Sequence, residues 1–142
     1  MVRILLADDH SVVLRRLRGL IEAQTSWTVC GEAATGPDTI SRTAELQPDV
    51  VILDPGIPEL NGIDATKKIR HLSPRTRVLI YSTHSSDHLA RAAIMAGANG
   101  FLVKSDGVEQ LIPSIEALLE RRLVLTSPVF NGSATTDIYA SG

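Results

Sequence analysis

Val50-Val51-Ile52-Leu53-Asp54 is a short run of branched apolar residues that stops on a carboxylate. Three other stretches have the same build. Val2 to Ala7 stops at Asp8-Asp9, Val78 to Tyr81 at Ser82, and Phe101 to Val103 at Lys104. Runs of this length without alternation are the pattern of strands buried on both faces of a parallel sheet. In an open α/β sheet, ligands bind outside the carboxyl ends of the strands. Residues scattered along the chain are therefore expected to converge on one crevice.

Helical periodicity separates the runs. Val13, Leu14, Leu17, Leu20 and Ile21 recur at helical spacing, with Arg15, Arg16 and Arg18 between them on the expected solvent side. Trp27 to Cys30 reads as a short strand, and Gly36-Pro37 opens a second helix. A third helix is predicted over Ile63 to Arg70, a fourth over Asp87 to Met95, and a fifth from about Asp106 to Arg121. Pro113 falls inside the last pattern, where a proline costs roughly 3 kcal/mol if fully interior, so a kink or a late helix start is expected. The outcome is an α/β fold: a doubly wound, five-stranded parallel sheet with helices on both faces. The domain is expected over 1–123, with 124–142 as a linker or C-terminal tail, because the last residues are mostly Ser, Thr, Gly and Ala.

Composition narrows the class. A chain of 142 residues with 44% hydrophobic residues can fold as one domain without staples. A formal net charge of -2 gives no broad reason to bind nucleic acid or anionic lipid. The lone Cys30 excludes an internal disulfide framework or thiolate metal cluster and suits a reducing cytoplasm. No apolar stretch approaches the roughly 20 residues of a membrane span. Cytoplasmic residence without a membrane partner is expected.

The acidic residues need a partner. Asp8, Asp9 and Asp54 gathered at neighbouring strand ends would repel one another unless a cation offsets them. Oxygen donors alone favour a hard divalent ion such as Mg²⁺, which keeps several waters and takes one or two carboxylates plus a phosphate. Lys104 and Ser82 would then face that phosphate, with one of the aspartates as nucleophile. Blander readings exist for each residue alone. The acidic pair could cap the first helix, Lys104 could be a solvated strand-end lysine, Ser82 a turn residue, and Phe101 ordinary core. The histidines His10, His71, His84 and His88 show no ligand spacing with a carboxylate partner, although His84 and His88 stand at helical i, i+4 distance, and all four are expected at the surface.

Asp8-Asp9, Asp54 with Pro-Gly-Ile-Pro-Glu-Leu-Asn-Gly after it, Ser82, and Ala96-Gly97-Ala98-Asn99-Gly100-Phe101-Leu102-Val103-Lys104 together resemble the receiver domain of two-component response regulators. The resemblance implies a flavodoxin-like fold and phosphorylation of Asp54 by a histidine kinase. It implies Asp9 as the main Mg²⁺ ligand, Asp8 binding through water, Asp54 itself as a ligand, and the carbonyl of Gly56 completing the protein's share. It further implies Ser82 and Lys104 as phosphate-binding groups and Ser82 with Phe101 as the switch pair. The Ser82-Thr83-His84 turn is most similar to the NarL/FixJ branch, whose full-length members carry a DNA-binding domain after a linker. A homodimer is then possible, and DNA would be reached through a C-terminal domain absent from this chain rather than by these residues. A signalling module that assists its own phosphorylation and dephosphorylation is the expectation. The alternatives are a degenerate receiver kept as an interaction scaffold and an aspartyl-phosphate phosphatase.

Three residues depart from the family pattern. Pro55 removes an N–H next to the acceptor, Ile57 replaces a common methionine, and Ser105 replaces a proline associated with a cis peptide.

Overall fold

The protein is described by a computed structural model covering residues 1–106, 108–125 and 136–139. Strands and helices alternate as β1 (Val2–Ala7), α1 (Ser11–Glu22), β2 (Trp27–Ala33), α2 (Gly36–Leu46), β3 (Val50–Leu53), α3 (Gly62–Leu72), β4 (Arg77–Ser82), α4 (Asp87–Met95), β5 (Gly100–Val103) and α5 (Leu111–Leu119). Two further strands follow, β6 (Arg122–Leu125) and β7 (Thr136–Tyr139).

The sheet order is β2-β1-β3-β4-β5-β6-β7. Every neighbouring pair from β2 to β6 is parallel, and β7 returns antiparallel against β6. The expectation of five strands is therefore corrected: β6 adds a sixth parallel strand through the pairs Gly100↔Val124 and Phe101↔Leu125. Its apolar part is only Leu123 to Leu125, directly after a helix, which is too little to announce a strand. The rest of the expected tail, residues 126–135 and 140–142, lies outside the described residues.

Alternation of side chains divides the core between the two faces of the sheet. Leu5, Val51, Leu53, Ile80, Phe101 and Val103 pack with Ala65 and Ile69 of α3 and Ala90 and Ala93 of α4. Ile4, Leu6, Ile52, Leu79 and Leu102 face the other way, onto Leu17 and Ile21 of α1 and Leu111, Ile115 and Leu118 of α5. The double winding follows from that split.

Local chemistry sets the helix starts. Thr35, Asn61 and Ser86 cap α2, α3 and α4, each side chain accepting from the backbone N–H of the third helical residue. Helix α1 has no such cap: His10 precedes it, and no side chain caps its first turn. The capping reading of Asp8-Asp9 is thereby set aside. Two 3₁₀ turns, Lys104–Asp106 and Val108–Gln110, occupy the start of the fifth helical pattern, and α5 begins at Leu111. Pro113 thus falls in the first turn, where its missing N–H removes no helix bond, and the late start is the form the structure takes.

Candidate functional site

The strand order reverses direction between β1 and β3, and the crevice opens there. Ala7 and Leu53 are register partners. One residue further, Asp8 N–H donates to Ala33 O at 3.0 Å and Asp54 N–H donates to Ala7 O at 2.9 Å. Both aspartates therefore leave the sheet at the same level with their backbones still held by it. Asp8 is 3% exposed and Asp54 8%. Two carboxylates so nearly buried need a counter-charge close by.

Lys104 supplies it from the end of β5. Its Nζ donates to Asp8 Oδ2 at 2.8 Å and to Asp54 Oδ2 at 3.2 Å. The ammonium also stands 5.6 Å from the centroid of the Tyr81 ring. Burial pulls the Lys104 ammonium down, while the hydrogen bond to Asp8 and the charges of Asp54 and Asp8 push it up; the net direction is upward. Burial raises the Tyr81 phenol against the opposing Lys104 charge.

The second oxygen of Asp54 accepts from Gly56 N–H at 2.9 Å. Pro55 takes away one donor beside the acceptor, and the next residue provides one. The loop is clamped from behind by Gly62, whose N–H donates to Pro55 O at 2.9 Å. A Cβ at Gly62 would lie 2.7 Å from Pro55 Cα and 2.9 Å from Asp54 O, so glycine is what lets α3 approach this closely. The peptide after Lys104 is trans, as are all described peptides, so Ser105 brings no cis bond.

His10 is a member of the cluster that sequence reasoning missed. Its ring is exposed as expected, yet Nδ1 lies 2.9 Å from Asp8 Oδ1 and 3.2 Å from Asp9 Oδ1. The expectation that it lacks carboxylate partners is corrected: a turn of chain after Asp9 folds the ring back over both acids. The hydrogen bond to Asp8, then the charges of Asp9 and Asp8, raise the imidazole pKa. Adjacency to the acidic pair was the only available signal. Asp8, Asp9, His10 and Asp54 each offer a ligand atom within 4.8 Å of the others. Three carboxylates against one ammonium leave a surplus of negative charge, a donor set suited to a divalent cation.

Ser82 and Phe101 lie farther along. Ser82 pairs with Val103 at the end of β4, beside Lys104. It is fully buried, and its hydroxyl accepts from His84 N–H at 3.0 Å and donates to His84 O at 3.2 Å. The hydroxyl is thus turned toward the turn after β4. Phe101 is fully buried on the face of the sheet that packs against α3 and α4. The structure brings Asp8, Asp9, Asp54 and Lys104 into one cluster; it places Ser82 at the rim and Phe101 in the core behind it.

Residues 4–116 match the model of the response regulator receiver domain. The chain belongs to this receiver family. It is 39% identical over 116 residues to the transcriptional regulatory protein YxjL of Bacillus subtilis, a match that covers 82% of the chain and 53% of that protein. To the DNA-binding transcriptional activator DevR/DosR of Mycobacterium tuberculosis it is 38% identical, covering 73% of the chain and 48% of the activator. The receiver thus spans about half the length of these transcriptional regulators. Against the chemotaxis protein CheY of Thermotoga maritima the identity is 35%, covering 72% of the chain and 84% of CheY. Among solved structures, a LuxR-family two-component response regulator from Aurantimonas sp. superposes with a TM-score of 0.84 at 37% identity, covering 89% of this receiver and 90% of that chain. The receiver domain of a response regulator is a signalling module. No described helix of this one is long and apolar enough to cross a membrane.

Proposed function

We propose that this receiver is a phosphorylation-controlled switch in which Asp54 accepts a phosphoryl group from a histidine kinase. The observation that carries the reading is Lys104 held by Asp8 and Asp54 together, at 2.8 and 3.2 Å, in a crevice at the point where the strand order reverses. A carboxylate oxygen of Asp54 attacks phosphorus, the phosphorus–nitrogen bond of the phosphohistidine breaks, and the bonding pair leaves on the imidazole, which takes up a proton. An acyl phosphate results. Lys104 moves from its pair with Asp54 to the incoming phosphoryl oxygens, and Gly56 N–H keeps the acceptor carboxylate oriented.

Asp9 and Asp54 would hold Mg²⁺ directly, Asp8 through water and Gly56 by its carbonyl, with His10 alongside. The bound ion would supply neutralisation of the charge on the transferring group. The domain would assist its own phosphorylation and dephosphorylation in this way. Ser82 would exchange its bond to His84 for a phosphoryl oxygen, and Phe101 would turn into the space behind it, which alters the outer surface of β5 and its neighbours. Output on transcription is proposed from the relatives' names, through a DNA-binding domain beyond the sheet; the linker expected over 124–142 is in part strand, since 124–125 and 136–139 pair within β6 and β7. Direct DNA contact by these residues is not proposed, since the net charge is -2. A homodimer and cytoplasmic residence belong to the same proposal.

Incubation with acetyl phosphate and Mg²⁺ should attach one phosphoryl group that neutral hydroxylamine removes, and EDTA should prevent the attachment. A label that resists hydroxylamine would place the phosphate on a hydroxyl instead of a carboxylate.

A further inference from the structure

Both oxygens of Asp8 are engaged by the protein itself. Oδ2 accepts from Lys104 Nζ at 2.8 Å, and Oδ1 accepts from the backbone N–H of His10 at 2.9 Å, with His10 Nδ1 at the same distance. A carboxylate with three of roughly four lone pairs in use has little left for an ion, so Asp9 and Asp54 are the more open acids. The imidazole stands with them. Its Nδ1 lies 3.2 Å from Asp9 Oδ1. Adjacent ligands on an octahedral ion with bonds of about 2.1 Å stand roughly 3 Å apart. The pair already has the separation of neighbouring ligands.

Two features of the residue suit it to an ion. The backbone N–H of His10 is held by Asp8 and its carbonyl accepts from Leu14 N–H at 3.1 Å, so the ring is mounted on the first turn of α1 rather than on a free loop. The side chain is 62% exposed, so a proton on Nε2 can face water while Nδ1 turns its lone pair to Asp8 and Asp9. A lone pair aimed at two carboxylate oxygens needs a cation between them, either a proton or a metal ion. Nitrogen and oxygen donors also select different ions: carboxylate and water suit Mg²⁺, whereas imidazole favours the later first-row metals.

We infer that His10 Nδ1 is a ligand for the divalent ion of the acidic site and shifts its preference from Mg²⁺ toward first-row cations with affinity for nitrogen. The inference rests on the proposed ion site at Asp9 and Asp54. Co²⁺ is the probe. The full 142-residue chain is freed of metal with EDTA, desalted, and titrated by calorimetry with Co²⁺ and with Mg²⁺. His10→Asn is the informative variant, because its amide N–H can keep the hydrogen bond to Asp8 while its nitrogen has no lone pair to give a metal. That variant should bind Co²⁺ at least tenfold more weakly than the parent and Mg²⁺ within about threefold of it. Proton NMR of the parent's Co²⁺ form should show a far-shifted, exchangeable imidazole N–H that the variant lacks. Asp9→Asn should weaken both ions. Equal losses of Co²⁺ and Mg²⁺ affinity in His10→Asn, or an imidazole signal that is absent from the parent or survives the substitution, would overturn the inference and leave the ion site standing. Binding of both ions that Asp9→Asn does not weaken would overturn the two together.

Discussion

Lys104 is the residue on which the acidic site balances, because its one ammonium serves two nearly buried carboxylates. Lys104→Met keeps the stem and removes the charge. Leaving Asp8 and Asp54 without it should cost roughly 3 kcal/mol, the scale of breaking a buried ion pair from one side. Urea unfolding should read this loss, and millimolar Mg²⁺ should restore part of it by binding the folded form. The pH dependence has a definite sign. The folded pKa of Lys104 is raised above its ordinary 10.5. Its contribution is therefore fully present below that pH and is lost as pH rises through the folded value. The parent should lose stability in that alkaline range, and Lys104→Met should lack that loss; equal alkaline slopes would count against the pairing. At this scale the sequence was legible where side chains follow strand ends directly, as Asp8, Asp54 and Lys104 do. It was silent on His10 and on the direction of the Ser82 hydroxyl, since both depend on how a turn folds back.

Elements were legible where periodicity was long or apolar runs were unbroken. Strand β2 runs to Ala33, three residues beyond the expected Cys30, because an edge strand needs only one paired side and tolerates Gly31 and Glu32. Glu32 is half exposed there and pairs with Arg18 of α1 at 2.9 Å, so this arginine is more than a solvated face. Helix α5 starts late, and the reason is local to Pro113: as the third residue of the helix it sits where no N–H is owed to the ladder. Pro113→Ala should therefore change stability by no more than about 1 kcal/mol, against roughly 3 kcal/mol for an interior proline. A large gain in urea midpoint on that substitution would mean that the proline is breaking a longer helix.

The whole molecule has two chemically opposite ends joined by one sheet. Carboxylates gather at the carboxyl ends of β1 and β3, arginines at the amino ends of β4 and β6. Phe101 lies in the core shared by α3 and α4, and Ser82 stands at the rim of the acidic end, so a change at the rim has a packed route to an outer surface. Beryllofluoride with Mg²⁺ should shift the amides of Ser82, His84 and Phe101 and continue into α4; shifts confined to the neighbours of Asp54 would argue against a transmitted change. All of this rests on Asp54 as the phosphoacceptor. Intact-mass spectrometry after acetyl phosphate and Mg²⁺, run on the parent and on Asp54→Ala, tests that most directly. The parent should gain the mass of one phosphoryl group and the variant none; a variant that gains the same mass would contradict the assignment of the acceptor.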